Sequence, residues 1–135
     1  KIISDGEGIK KLIKVNVNNA KSKSQAKNIA FSIANSPLVK TAISGEDANW
    51  GRVVMAIGKT QEKILQDKIT IKFGNILLAK NGERNRKVNL SVVNNYMKKK
   101  IIEINVNLNL GNYSSIVYGN DLNNEYIKIN ADYRS

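Results

Sequence analysis

At 135 residues and 15.0 kDa, with 41% hydrophobic and 24% charged residues, the chain has the size and balance of one soluble globular domain, and no apolar run approaches the roughly 20 residues that span a bilayer. Cysteine and histidine are both absent, which excludes disulfides, Cys/His zinc sites, thiol nucleophiles and any imidazole base, so that chemistry would rest on carboxylates, hydroxyls, amides, Lys or Tyr and a metal on oxygen ligands. The formal charge of +11 comes from lysines scattered among asparagines, clustered only at Lys98, Lys99 and Lys100, with no series of aromatic stacking platforms; neither nucleic acid nor a membrane is expected as a partner.

The opening "KIISDGEGIKK" breaks into Asp, Gly and Glu before any apolar run develops, unlike a signal peptide, and a cytoplasmic setting is expected. "LIKVNV", residues 12–17, alternates after its first pair and predicts a strand. In "SKSQAKNIAFSIANSP", Ala26, Ile29, Ala30, Ile33 and Ala34 share a helical face, with Ser22 or Ser24 as N-cap and Pro37 closing the helix. "LVKTAI", residues 38–43, then predicts a second strand, which makes the opening a βαβ-like unit.

After the loop "SGEDANWG", the run "RVVMAIGK" predicts a short helix that Gly58 helps to end. Two strands over residues 69–73 and 76–79 meet at Gly74 and Asn75. "VNLSVVNNYMKKK" predicts a helix with Val88, Val92 and Met97 near one face. "IIEINVNLNL" alternates strictly, with Ile102, Ile104, Val106, Leu108 and Leu110 on the buried side. "YSSIVYG" predicts its hairpin partner, and "DLNNEYIKINA" a last helix with Asp121 as N-cap. The resulting order, β-α-β-α-ββ-α-ββ-α, is α+β: a mixed sheet with helices mainly on one face.

Three polar stretches bear on function. "SDGEG" sets Glu7 between glycines, either as a turn before the first strand or as a carboxylate that a ligand can approach closely. "GEDANWGR" gathers Glu46, Asp47, Asn49, Trp50 and Arg52; it is either a rigidly mounted functional loop or a structural one in which Asp47 or Asn49 caps the helix and Trp50 seals the core edge. The terminal "INADYRS" follows Ile127 with Ile129, then Asn130, Asp132, Tyr133 and Ser135, apolar anchors beside groups able to hydrogen-bond a ligand.

Taken together, "DGEG", "SPLVKTAISGEDANWGRV" and "YGNDLNNEYIKINADYRS" resemble the ornithine acetyltransferase family over nearly the whole chain. The resemblance implies transfer of acetyl from N2-acetylornithine to glutamate, in arginine biosynthesis, by a self-cleaving precursor whose new amino-terminal threonine forms an acetyl-ester intermediate. The threonine's own α-amine can act as base, which suits a chain without histidine. It also implies that this is the C-terminal domain of the threonine (beta) chain, spanning residues 1–135, with the nucleophile on an upstream segment. Thr41, Thr60 and Thr70 sit in other contexts. The upstream remainder of the enzyme is then the expected partner, in a hetero-oligomer, and no cofactor or metal is implied. Carried over position by position, Glu7, Asn130 and Ser135 are the expected substrate-binding residues. Ser135 stands where threonine is more usual, and "GIKK" replaces the more common Ala-Thr pair after Glu7. A basic nucleic-acid-binding module and an amidohydrolase relative of the same fold are the competing readings.

Overall fold

The computed structural model describes residues 10–121. They form a six-stranded sheet of order β4-β3-β2-β5-β1-β6 with four α-helices: β1 (Leu12–Ala20), α1 (Lys23–Asn35), α2 (Pro37–Ser44), α3 (Trp50–Lys59), β2 (Thr70–Phe73), β3 (Ile76–Lys80), β4 (Glu83–Arg84), α4 (Leu90–Tyr96), β5 (Ile101–Asn107) and β6 (Tyr113–Asn120). The class is α+β and the sheet mixed, as expected: β1 and β5 are parallel and every other pairing is antiparallel.

The period-two pattern sorts the two faces. Ile13, Val15 and Val17 of β1, Ile71 and Phe73 of β2, Ile102, Ile104 and Val106 of β5 and Val117 of β6 are buried together. Helix α1 lies on β1 and β6 and packs against α2 and α3, adding Ala26, Ile29, Ala30, Ile33 and Ala34 to the same core. Its alanines keep the helix close to the strands, and its isoleucines fill the space between them. Lys14, Asn16, Asn18, Thr70, Lys72, Glu103, Asn105 and Asn107 alternate with the buried set, and so occupy the opposite face.

Five expectations are corrected. Residues 38–43 are not a strand but most of α2. The local cause is Ser36, whose hydroxyl accepts from Val39 N at 3.2 Å, followed by Pro37 at the first helical position. Pro37 therefore opens α2 rather than closing α1, and Val39, Ala42 and Ile43 are buried at helical spacing. The βαβ unit disappears with that strand. In α4, Val93 and Met97 are buried, whereas Val92 is 49% exposed. The last helix expected from Asp121 onward lies outside the described residues, while β4 and the 3₁₀ turn Gln66–Lys68 are additional elements.

The fifth correction concerns β6, which pairs with β1 and not with β5. After β5 the chain crosses the end of β1, where Leu108 N bonds to Asn18 O at 3.0 Å and Leu110 N and Gly111 N both bond to Asn19 O at 2.9 Å. A Cβ at Gly111 would stand 2.5 Å from Ala20 O, a backbone atom that cannot swing aside. Gly111→Ala is therefore expected to lower stability by about 1–3 kcal/mol, and a urea titration in which the midpoint stays unchanged would show that the crossing can relax.

Candidate functional site

The pairing of β1 with β6 brings the first and last described residues together. Leu12 stands opposite Asn120, and one residue further out two bonds close the ladder: Lys11 N donates to Asp121 Oδ1 at 2.7 Å, and Asp121 N donates to Lys11 O at 3.2 Å. Lys11, Asn120 and Asp121 are all buried. Asp121, expected as a helix cap, here satisfies a strand-end amide.

Two lysines reach this junction. The Lys11 ammonium donates to Met97 O at 3.0 Å and to Lys99 O at 2.8 Å, carbonyls at and just beyond the C-terminus of α4, and lies 3.6 Å from Glu46 Oε2. Cations are favoured where such carbonyls collect. The Lys40 ammonium, carried by α2, donates to Asn120 O at 2.9 Å, and Lys40 is only 3% exposed. Burial holds its pKa below the ordinary 10.5, and the Asp121 carboxylate pulls it partly back. Among the described residues, two cations and two carboxylates thus meet where β1 begins and β6 ends.

"GEDANWGR" joins this cluster through Glu46, which adopts a left-handed backbone at φ 58°. Asn49 Oδ1 accepts from Arg52 N at 3.1 Å and caps α3, and the Arg52 guanidinium donates to Leu38 O at 2.8 Å. Trp50 is partly buried against the core. The structural reading of this loop holds in these contacts, and Asp47 and Trp50 also line a cleft of about 220 Å³ with Arg84 and Asn85. A second concavity, of about 330 Å³, lies on the polar sheet face between Asn18, Thr70, Lys72, Gly74, Asn75 and Asn105. Its amides are partly committed: Asn105 Nδ2 donates to Gly74 O at 2.9 Å, and Asn19 Nδ2 to Asn107 Oδ1 at 3.0 Å. Among the described residues no group of three or more acidic side chains gathers closely enough to hold a metal ion, and no helix is long and apolar enough to cross a membrane.

Glu7, Asn130 and Ser135 lie outside the described residues. Lys11, Lys40 and Asp121 were not singled out as a group from sequence, although a signal existed. Lys11 precedes Ile13, Val15 and Val17 in the inward register, and Lys40 sits inside the apolar run "LVKTAI". A charge in step with a core is a buried-cation pattern.

A family model described as the ArgJ family matches residues 1–135. The chain belongs to the ArgJ family. It is 50% identical to the Arginine biosynthesis bifunctional protein ArgJ of Brucella melitensis over 99% of its own length and 32% of that protein's. The ArgJ protein of Bartonella quintana is 52% identical over the same shares. The chain thus spans about a third of the length of the curated relatives that it matches. The crystal structure of the Bacillus halodurans ArgJ protein superposes with a TM-score of 0.81 at 40% identity, over 95% of this chain and 60% of that one. The α+β fold described above is therefore shared with that ArgJ structure.

The lowered Lys40 pKa fixes a pH dependence. Between its folded-state pKa and 10.5 the unfolded chain binds more protons at this lysine than the folded one, so its contribution to stability rises with pH across that window. Tyr96, whose pKa burial raises above 10.0, acts in the opposite sense as pH passes 10. Comparing Lys40→Met with the wild type isolates the lysine: the variant is expected to lack the rise, and superimposable stability-pH curves would refute the assignment.

Proposed function

We propose that the chain is the C-terminal portion of a glutamate N-acetyltransferase, an acyltransferase that moves acetyl from N2-acetylornithine to glutamate in arginine biosynthesis. The observation that carries the reading is membership of the ArgJ family along the whole chain, with relatives named for arginine biosynthesis. These relatives are about three times as long, which supports placing the nucleophile in the remainder of the enzyme, the partner with which this domain forms a hetero-oligomer after autocatalytic cleavage. A cytoplasmic setting suits such a biosynthetic enzyme.

In this reading a threonine hydroxyl, its proton taken by the adjacent α-amine, attacks the acetyl carbonyl of N2-acetylornithine. Ornithine leaves as the amine, and an acetyl ester remains on threonine. The amine of glutamate then attacks the ester, forms N-acetylglutamate and restores the hydroxyl. This domain contributes substrate contacts: Glu7 through its carboxylate to a substrate ammonium, Asn130 through its amide and Ser135 through its hydroxyl.

The junction described above supports that division of labour. Glu7 is four residues from Lys11 and Asn130 nine residues from Asp121. At about 3.5 Å per residue, fully extended spans of roughly 14 and 32 Å allow both to reach one small ligand near the sheet end.

In the assembled enzyme, Asn130→Ala, Glu7→Gln and deletion of Ser135 are each expected to lower kcat/KM for N2-acetylornithine by roughly ten- to a hundred-fold, since a hydrogen bond to a charged ligand contributes about 1.5–3 kcal/mol. Melting temperatures should change little, and the isolated chain should form no N-acetylglutamate. Wild-type kinetics in all three variants would show that these residues do not hold substrate, and turnover by the isolated chain would show that the nucleophile lies within it.

A further inference from the structure

The two edges of the sheet are built differently. β4, at one edge, is two residues long, and both of them, Glu83 and Arg84, are charged and exposed. Short strands and charges are the means by which a protein keeps an edge from pairing with other chain. β6, at the other edge, is eight residues long and reads YSSIVYGN, without a Lys, Arg, Asp, Glu or Pro. In a chain with 24% charged residues, a strand of that length without a charge is an unguarded edge.

The parity of the β1 pairing decides which groups β6 presents. In an antiparallel pair, alternate residues exchange bonds with the neighbouring strand, and those between them turn their N–H and C=O outward. Asp121 N donates to Lys11 O at 3.2 Å, which marks Lys11 and Asp121 as a bonded pair. Ile13 with Gly119, Val15 with Val117 and Val17 with Ser115 follow at the same parity. The N–H and C=O of Ile116 and Tyr118 therefore point away from β1. Asn120 belongs to the same outward set, and its carbonyl accepts from the Lys40 ammonium at 2.9 Å, in agreement with that parity. Among the described residues β6 pairs with β1 alone, and the outward backbone groups of Ile116 and Tyr118 have no partner. The side chains are out of keeping with their surroundings too. On the polar sheet face Ile116 stands beside Asn16 and Tyr118 beside Lys14, and Ile116 is 37% exposed.

A row of outward N–H and C=O groups is matched by another extended segment, which supplies acceptors and donors at the same spacing. A second copy of this chain, set edge to edge, would bring together two molecules of net charge +11, and like charge opposes that contact. The ArgJ relatives hold a different source of strand: this chain spans 32% of the Brucella melitensis protein and 60% of the superposed Bacillus halodurans chain. We propose that a strand from the remainder of the enzyme adds to this sheet along the outer edge of β6, bonding to the N–H and C=O of Ile116 and Tyr118 and laying uncharged side chains beside theirs. The inference rests on the reading of this chain as one portion of a larger acetyltransferase, and it names the surface through which that portion joins the rest. Its test needs no acetyl transfer.

The experiment uses the complete enzyme, with amide hydrogen exchange followed along β6 and through the remainder. The amides of Ile116 and Tyr118 are expected to exchange about a hundred-fold or more slower than solvated amides, and exchange at the rate of an open edge overturns the proposal. Ile116→Pro removes one outward N–H while the bonds to β1 stay in place, a change that a strand tolerates on an unpaired side. Ile116→Lys keeps the N–H and adds the charge that guards an edge. Each is expected to speed exchange at Tyr118 and in one segment of the remainder by about ten-fold or more, while Val15 and Val117 keep wild-type protection. Ile116→Val should exchange as the wild type does throughout. Wild-type exchange in both the Pro and the Lys variants overturns the proposal, as does a loss spread evenly through the sheet. Faster exchange in residues 1–9 or 122–135 in place of the remainder assigns the edge to this chain's own ends, and a halved mass by light scattering assigns it to a second copy; either result overturns the proposal. If Ile116→Pro fails to fold, Ile116→Lys decides by the same comparison. A wild-type enzyme that assembles but transfers no acetyl refutes the acetyltransferase reading, and the exchange data still decide on the edge.

Discussion

A strand that lies between two strands consecutive in sequence has both hydrogen-bonding edges taken, and its register is set twice. β1 is in this position, parallel to β5 on one side and antiparallel to β6 on the other. A slip of one residue would carry Ile13, Val15 and Val17 out of the core and bring Lys14, Asn16 and Asn18 into it. The same constraint forces the chain over the end of β1 between β5 and β6. Asn19 and Asn109 take left-handed backbones there, at φ 57° and 55°, a conformation that asparagine tolerates better than most residues. Their side chains then bond across the crossing, Asn19 Nδ2 to Asn107 Oδ1 and Asn109 Nδ2 to Lys68 O. At the far end of β1 the consequence is the junction of Lys11 with Asp121, since a strand flanked by the last described strand must begin where that strand ends.

The lysine-rich composition acquires two meanings in this frame. Lys14, on the polar sheet face, makes a partly exposed pair with Glu103 at 3.4 Å, the kind of contact that adds little to stability. Lys11 and Lys40 are buried, and their ammonium groups bond to backbone carbonyls. Backbone carbonyls at a helix end or strand end lack regular ladder partners, and a buried cation gives them a donor that a methionine cannot. Glu46 and Asp121 offset the charge. The same residue type thus decorates one surface and organises one interior point, and net charge alone cannot tell the two apart.

Periodicity made most of the fold legible. The alanine-isoleucine stripe of α1 appears in the structure as read, and the alternation of β5 holds over Ile101–Asn107, where the strand ends short of the expected Leu108 and Leu110 because the chain turns over the end of β1. Misreadings occurred where a short apolar run fits either period: "LVKTAI" has as many β-branched residues as a strand wants, and only the Ser-Pro pair before it tips the run to helix. The pairing of β6 could not be inferred from "YSSIVYG", because a Gly-Asn turn and an alternating run do not reveal that an earlier strand will insert between the two. Of the candidate site, Glu7, Asn130 and Ser135 stood out in the sequence as groups able to meet a ligand, their substrate-binding role came only from the resemblance, and their positions lie outside the described residues. Lys11 and Lys40 were visible in principle as charges in core register, but a lone lysine in an apolar run more often reaches past the core to water.

In the proposed reading the base is the α-amine beside the threonine, and its placement is dictated by where a new chain terminus lies. A base fixed in that way cannot be moved to suit the substrate, so the substrate has to be brought to it by groups on other segments. Short polar side chains such as those of Asn130 and Ser135 have little reach of their own, and their accuracy depends on the backbone that carries them. Within the described residues, the sheet end at Lys11 and Asp121 is cross-bonded by two strand termini and two buried ammonium groups, so the backbone there is held by several elements at once.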